Sequence, residues 1–147
     1  MQDLNFPGYS FRFKSSENKV SVFDRIRKKF VVVTPEEWVR QHVICYLIEE
    51  KEVPINLINV EKQIKINGLS KRYDVVVFYP NGSIFTMVEC KAPEITINQQ
   101  TFDQIARYNM ALQAEYLMIS NGLQHYYCQM DYAEEQYYFL KELPKFQ

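Results

Sequence analysis

The chain has 147 residues, 10 Phe, 11 Tyr and 1 Trp among them, with 17 basic and 18 acidic side chains. About 150 residues is the size of one domain, and a chain that is 47% hydrophobic and 24% charged is not a disordered tail. A net charge of -1 argues against coating nucleic acid by bulk charge, and no apolar run approaches the roughly 18 residues of a membrane span. Residues 9–33 read as short strands, with Phe11 and Phe13 alternating with polar residues and a turn at Ser15-Ser16-Glu17-Asn18. Thr34-Pro35-Glu36-Glu37 then starts a helix: Thr at the cap, Pro at the first position and Glu at the third form a capping box. Trp38, Val39, Val43, Tyr46 and Leu47 continue at helical spacing to about Lys51. Leu57–Ile66 alternates as a strand, broken near Lys62, and Asn67-Gly68 is a turn. Asp74–Tyr79 and Ile84–Cys90 are strands around Pro80-Asn81-Gly82-Ser83, where Asn-Gly is a strong hairpin signal. Both are apolar at consecutive positions, which suits central strands. Thr101 to about Ala114 is helical, Tyr116–Ile119 is a buried strand, Asn121-Gly122 a turn, and His125–Met130 and Tyr137–Leu140 are further strands. The order predicts one α/β domain with a mixed sheet and an αβββαβ core, residues 1–33 forming an N-terminal β extension and 34–147 the core.

Other features of the chain bound its class. The N-terminus, Met1-Gln2-Asp3-Leu4-Asn5, lacks the basic and apolar segments of a secretory signal. Cys45, Cys90 and Cys128 are odd in number and far apart, which fits free thiols in a reducing, cytoplasmic location better than a zinc site or disulfides. The charge is unevenly spread: residues 1–73 sum to +4 and residues 74–147 to -5. The densest basic run, Arg25, Arg27, Lys28 and Lys29, reads as a solvated turn or as a phosphate contact.

The Asn81-Gly82 hairpin carries the chemical argument. With a two-residue loop, positions whose numbers sum to 163 lie opposite one another. Phe78 then meets Phe85, Val76 meets Met87, and Asp74 meets Glu89. Two facing carboxylates at the ends of apolar strands repel, and desolvation worsens the repulsion. Either the strand ends are exposed and the acids pair with Arg72 and Lys91, or a divalent cation relieves the repulsion. Two carboxylates make a hard-oxygen site suited to magnesium or manganese. Lys91, two residues beyond Glu89, lies on the same face and could orient a water or stabilise charge on phosphorus.

Asp74 followed by Glu89-Cys90-Lys91 resembles the D…ExK signature of the PD-(D/E)xK nuclease superfamily, with Tyr73 in place of the naming proline. Thr34-Pro35-Glu36-Glu37-Trp38-Val39-Arg40-Gln41, Lys71-Arg72-Tyr73-Asp74, Val88-Glu89-Cys90-Lys91-Ala92-Pro93, Asp103-Gln104-Ile105-Ala106-Arg107-Tyr108-Asn109 and Ser120-Asn121-Gly122 resemble, in order, the N-terminal nuclease domain of type I restriction enzyme R subunits. The resemblance runs from about Val22 to Leu143. It implies a restriction-endonuclease-like fold, DNA phosphodiester hydrolysis, Asp74 and Glu89 as ligands of Mg2+ or Mn2+, and Lys91 as the catalytic lysine. It further implies that Gln104 and Tyr108, one helical turn apart, act at the site, and that Glu37 joins the metal shell. Bland roles stand beside these: helix capping for Glu37 and for Gln104 with Thr101, and core packing for Tyr108. Arg72 adjoins the site as a phosphate contact or an ion-pair partner. His42 reads as structural or as part of the site rim, and His125 as structural. Glu61 reads as a solvated strand residue before one at the sheet edge beside the site, and the Tyr-rich C-terminal stretch as packing or an oligomer surface before a base-stacking surface.

The leading expectation is therefore a small metal-dependent nuclease with DNA as its partner. Homodimers or separate motor and modification subunits are further expected partners, and no membrane. The alternative is a catalytically silent or partner-dependent DNA- or protein-binding module on the same fold. Its motivation is the absence of a motor from this sequence. An interaction domain unrelated to nucleic acid rests on aromatic content alone.

Overall fold

The structure, a computed structural model, describes residues 1–66 and 68–147, so the Asn67-Gly68 turn lies partly outside the described residues. Three short strands, β1 (Phe13–Ser16), β2 (Lys19–Asp24) and β3 (Lys29–Val32), precede helix α1 (Pro35–Glu49). A 3-10 turn (Ile55–Leu57) leads into β4 (Ile58–Ile66), β5 (Leu69–Phe78) and β6 (Ile84–Cys90). Helix α2 (Gln99–Asn109) and strands β7 (Tyr116–Ser120), β8 (His125–Asp131) and β9 (Gln136–Leu140) complete the chain. The first three strands form their own antiparallel sheet, and β4 to β9 form a six-stranded sheet in sequence order. Within that sheet β6 and β7 run parallel and the other pairs antiparallel. α2 supplies the crossover that a parallel pair requires. This is the expected restriction-endonuclease-like α/β core, extended by β1–β3 in front and β8–β9 behind. Among the described residues no helix is long and apolar enough to cross a membrane.

α1 starts where its sequence says it should. Thr34 is extended and its hydroxyl accepts a hydrogen bond from the Glu37 backbone N–H at 3.0 Å, with Pro35 at the first position. The helix is covered on both sides. Val39, Val43 and Leu47 pack against Val75, Val77, Val88 and Met118 of the large sheet. On the outside, the Phe6 and Phe11 rings lie 4.9–6.0 Å from those of Trp38, His42 and Tyr46. Each such apolar side chain contributes about 1.5–3 kcal/mol on burial. The double cover also buries Glu37, Arg40 and Gln41, polar positions that a surface helix would leave in water.

On the opposite face of the sheet, Phe102 and Ala106 of α2 pack with Tyr73, Val76, Met87, Leu117 and Ile119. Strands β5–β7 thus carry alternate residues into two apolar layers, which explains their near-continuous apolar runs. α2 is shorter than the predicted Thr101–Ala114 and begins earlier. Its cap is Asn98, whose side-chain oxygen accepts from Thr101 N–H at 2.8 Å, so Thr101 lies inside the first turn. Phe11 also falls outside β1, which pairs with β2 through a two-residue turn. Both turn residues, Glu17 and Asn18, have positive φ, which matches the twist of a tight hairpin.

Candidate functional site

The β5–β6 hairpin departs from the predicted two-residue loop. Tyr79 N–H donates to the Ser83 carbonyl at 2.7 Å and Gly82 N–H to the Tyr79 carbonyl at 2.9 Å. Phe78 pairs with Ile84, not Phe85, and the register shifts between Val77 and Phe78. This bulge absorbs the extra loop residue. Beyond it Val76 faces Met87 and Val75 faces Val88, as predicted. The ladder ends there, one residue short of Asp74 and Glu89, which lie close enough for the Asp74 charge to act on Glu89.

A second irregularity turns Asp74 toward α1. The β4–β5 ladder runs through Val60–Val75 and Lys62–Tyr73 but skips Glu61, whose φ is 53°. Val75 lies in the α1-facing core and Tyr73 and Val76 in the α2-facing one. Asp74 therefore joins its neighbour Val75 on the α1 side instead of alternating with it. Its Oδ1 accepts from Arg40 Nη2 at 3.0 Å, and its Oδ2 from Cys90 N–H at 2.8 Å. The ion-pair partner of Asp74 is Arg40 from the helix, not the adjacent Arg72.

Arg40 opens a line of alternating charge. Its Nη1 donates to Glu37 Oε1 at 2.8 Å. Glu37 Oε2 accepts from Arg27 Nη2 at 2.8 Å and Gln41 Nε2 at 3.1 Å, and Arg27 Nε donates to buried Asp24 Oδ2 at 2.8 Å. Glu36 and Glu61 also reach Arg40, at 3.4 and 3.8 Å. Burial alone would lower the Arg40 pKa, but the Glu37 and Asp74 carboxylates outweigh it and raise the pKa. Glu37 thus does more than occupy the first helical turn: both its oxygens are engaged by cationic or amide donors. Glu61 is exposed, as expected, and its carboxylate also reaches Arg27 at 3.5 Å.

Glu89 stands in contrast. Its Oε1 is buried and has no hydrogen-bond partner among the described residues. Burial first, and the Asp74 charge second, push its pKa up to about 7, with Lys71 and Lys91 pulling the other way. Lys91 is half-buried, and its backbone N–H is tied to the Ser120 carbonyl of β7 at 2.8 Å. Its charge acts on both Glu36 and Glu89.

The raised pKa has a measurable consequence. The folded state binds the Glu89 proton more tightly than the unfolded chain, whose carboxyl titrates near 4.5. That contribution to stability is fully present below pH 4.5 and is lost as pH rises through about 7. Glu89→Gln removes the titration. In urea unfolding with a chelator, its stability relative to wild type should rise from pH 4.5 to pH 8 by an amount on the order of 1–3 kcal/mol. A gap that does not change with pH would contradict this account.

The remaining expected residues fall into two groups. Tyr108 is 53% exposed, and the Lys71 ammonium lies 3.7 Å from its ring centroid and 5.0 Å from that of Tyr73. Lys71, which sequence reasoning passed over, thus links Tyr108 to the strand bearing Asp74. Gln104 is exposed one turn earlier on α2, and Arg72 is exposed on β5 opposite Gln63. Neither is drawn into the carboxylate pair by a contact. His42 Nδ1 bonds the Trp38 carbonyl at 2.8 Å, and His125 lies 2.7 Å from Ser120 Oγ and 2.6 Å from the Asn5 carbonyl. Burial lowers both histidine pKa values, in keeping with structural roles. The three cysteines are buried and free. Tyr127 stacks on Tyr46, and the Tyr132 and Tyr137 hydroxyls donate to the Ala114 carbonyl and to Asp103.

The donor set fits a hard divalent cation. An orphaned carboxylate oxygen at Glu89, with a second carboxylate beside it, is what magnesium or manganese takes up while keeping several waters. Among the described residues no group of three His, Cys, Asp or Glu side chains is arranged to hold a metal ion.

A comparison with curated proteins found no match. The family described as type I restriction enzyme R protein N terminus matches residues 35–144. That span holds α1, the whole β4–β9 sheet and α2, and with them Glu37, Arg40, Asp74, Glu89 and Lys91. The chain belongs to the type I restriction enzyme R protein N-terminal family.

Proposed function

We propose that this domain is a metal-dependent nuclease that hydrolyses DNA phosphodiester bonds. The observation that carries the reading is the unpartnered, buried Glu89 Oε1 near Asp74, with Lys91 directly after the strand that bears Glu89. Family membership supplies DNA as the substrate class. Asp74 and Glu89 would hold Mg2+ or Mn2+. Such a cation, when bound, supplies positive charge that offsets the charge growing on the phosphate and favours ionisation of a nearby water.

The chain's own residues do the rest. The Lys91 ammonium donates a hydrogen bond to a non-bridging phosphate oxygen and orients the attacking water. The water oxygen forms a bond to phosphorus as the ester P–O bond breaks. The attacking water gives up a proton to solvent, and the departing sugar oxygen takes one from solvent to leave as a hydroxyl. Tyr108 and Arg72, both exposed, contact the substrate, and Gln104 lies one turn from Tyr108 to assist. Glu37 reaches a metal only if Arg40 lets it go, so we assign it first to holding Arg40 against Asp74. A cytoplasmic location, a homodimer, and separate motor or modification subunits are part of this proposal.

A second reading has an observation of its own. Both Asp74 oxygens are already engaged, by Arg40 and by Cys90 N–H. That arrangement suits a module that is silent, or silent until a partner draws Arg40 away. Plasmid cleavage decides between the readings. Wild type with magnesium or manganese should nick or linearise supercoiled DNA, and Asp74→Ala and Glu89→Ala should not. Activity that survives both substitutions would overturn the nuclease reading, and wild-type inactivity with every divalent ion would favour the silent module.

A further inference from the structure

The family match begins at residue 35, and the β1–β3 sheet lies ahead of it. Its register separates two faces. Val22 and Asp24 are buried toward α1. Lys14 lies opposite Ser21, and Phe23 opposite Phe30, on the outer face. There the Arg12 guanidinium lies 5.2 and 5.3 Å from the Phe23 and Phe30 ring centroids, and the Lys14 ammonium 5.7 Å from that of Phe30. Lys19, at the start of β2, falls on the same face by alternation.

Arg12, Lys14 and Lys19 are exposed, and among the described residues none pairs with a carboxylate. Asp24, on the same sheet, is committed to Arg27 and Gln41. Ring stacking explains where Arg12 and Lys14 rest. It does not explain why three cations gather without counter-charge in a chain of net charge -1. The sheet is also fastened to the candidate site, because Arg27 in the β2–β3 turn binds Glu37 and Glu61.

We propose that the outer face of the β1–β3 sheet is a nucleic-acid contact surface that binds the phosphate backbone of duplex DNA through Arg12, Lys14 and Lys19. Stacked cations cover the Phe23 and Phe30 rings, so bases cannot stack there and the contact is to phosphate. The proposal rests on the reading above for DNA as the partner, but not for cleavage.

The test is binding of the full chain to a short duplex, followed by fluorescence anisotropy across a salt series with a chelator present. Each phosphate contact contributes about 0.9 to the slope of log K against log salt. Arg12→Gln/Lys14→Gln/Lys19→Gln should lower that slope by about 2–3, with the thermal melt confirming a folded protein. Arg12→Lys/Lys14→Arg/Lys19→Arg should keep it, and so should Lys141→Gln/Lys145→Gln. A slope unchanged in the first variant, a slope lowered equally in the last, or no salt-sensitive binding by wild type overturns the proposal. Failure of plasmid cleavage would leave this result untouched. Asp74-dependent cleavage with an unaltered binding slope would sink this proposal alone.

Discussion

Replacing Arg40 by alanine is expected to cost about 3–5 kcal/mol of stability, because it takes the shared cation from one oxygen of each of two carboxylates at once. Glu37 is buried and Asp74 partly buried, and Arg40 sits between them at 2.8 and 3.0 Å. The loss belongs to the two carboxylates, each left with one oxygen short of its cation, not to the guanidinium, so Arg40→Met should be no milder despite its apolar fit. Thermal unfolding should shift down by roughly 10 °C or more for a domain of this size. Magnesium should restore part of the shift, since a cation near Asp74 replaces some of the missing charge. Lys145–Glu52 is the useful comparison, an exposed pair at 3.4 Å whose removal should cost less than about 1 kcal/mol. A cost that small for Arg40→Ala would mean that the buried network is not what holds Asp74.

Much of this arrangement is legible in the sequence, for local reasons. The Thr34-Pro35 cap and the strand order need only short-range chemistry and patterning, and both appear as expected. The nearness of Asp74 to Glu89 was legible through a premise that was incorrect in detail. The hairpin loop is longer than two residues, and the bulge at Val77/Phe78 restores the register. The α2 boundaries shifted because Asn98 and Thr101 are both acceptable caps, and only tertiary packing chooses between them.

Arg40 was missed although its spacing was visible: it lies three residues after Glu37 and four after Glu36, where helical side chains meet. What the spacing lacks is burial. α1 is buried only because the N-terminal aromatics and the small sheet cover its outer side, and that cover comes from residues distant in the chain. Lys71 was passed over, and Glu61 was read first as solvated, for a related reason. Their roles depend on a positive φ at Glu61 and on how α2 lies over β5, neither of which alternation reveals.

The central claim divides the labour: Asp74 and Glu89 hold the cation, and Lys91 acts on the phosphate. Lys91→Ala separates these roles better than removal of a ligand does. Loss of one aligned donor from a developing oxyanion typically lowers the rate by about 100–1,000-fold. Lys91 also pulls the Glu89 pKa down, so its removal raises that pKa. At a pH well above the Glu89 titration, where the carboxylate stays ionised, losing a neighbouring positive charge should not weaken the carboxylates' pull on a cation. The decisive measurement is manganese binding by electron paramagnetic resonance, paired with plasmid cleavage on the same sample. The account predicts that Lys91→Ala binds manganese at least as well as wild type while its cleavage falls by about two to three orders of magnitude. Lys91→Ala that loses manganese, or that keeps wild-type cleavage, would contradict it.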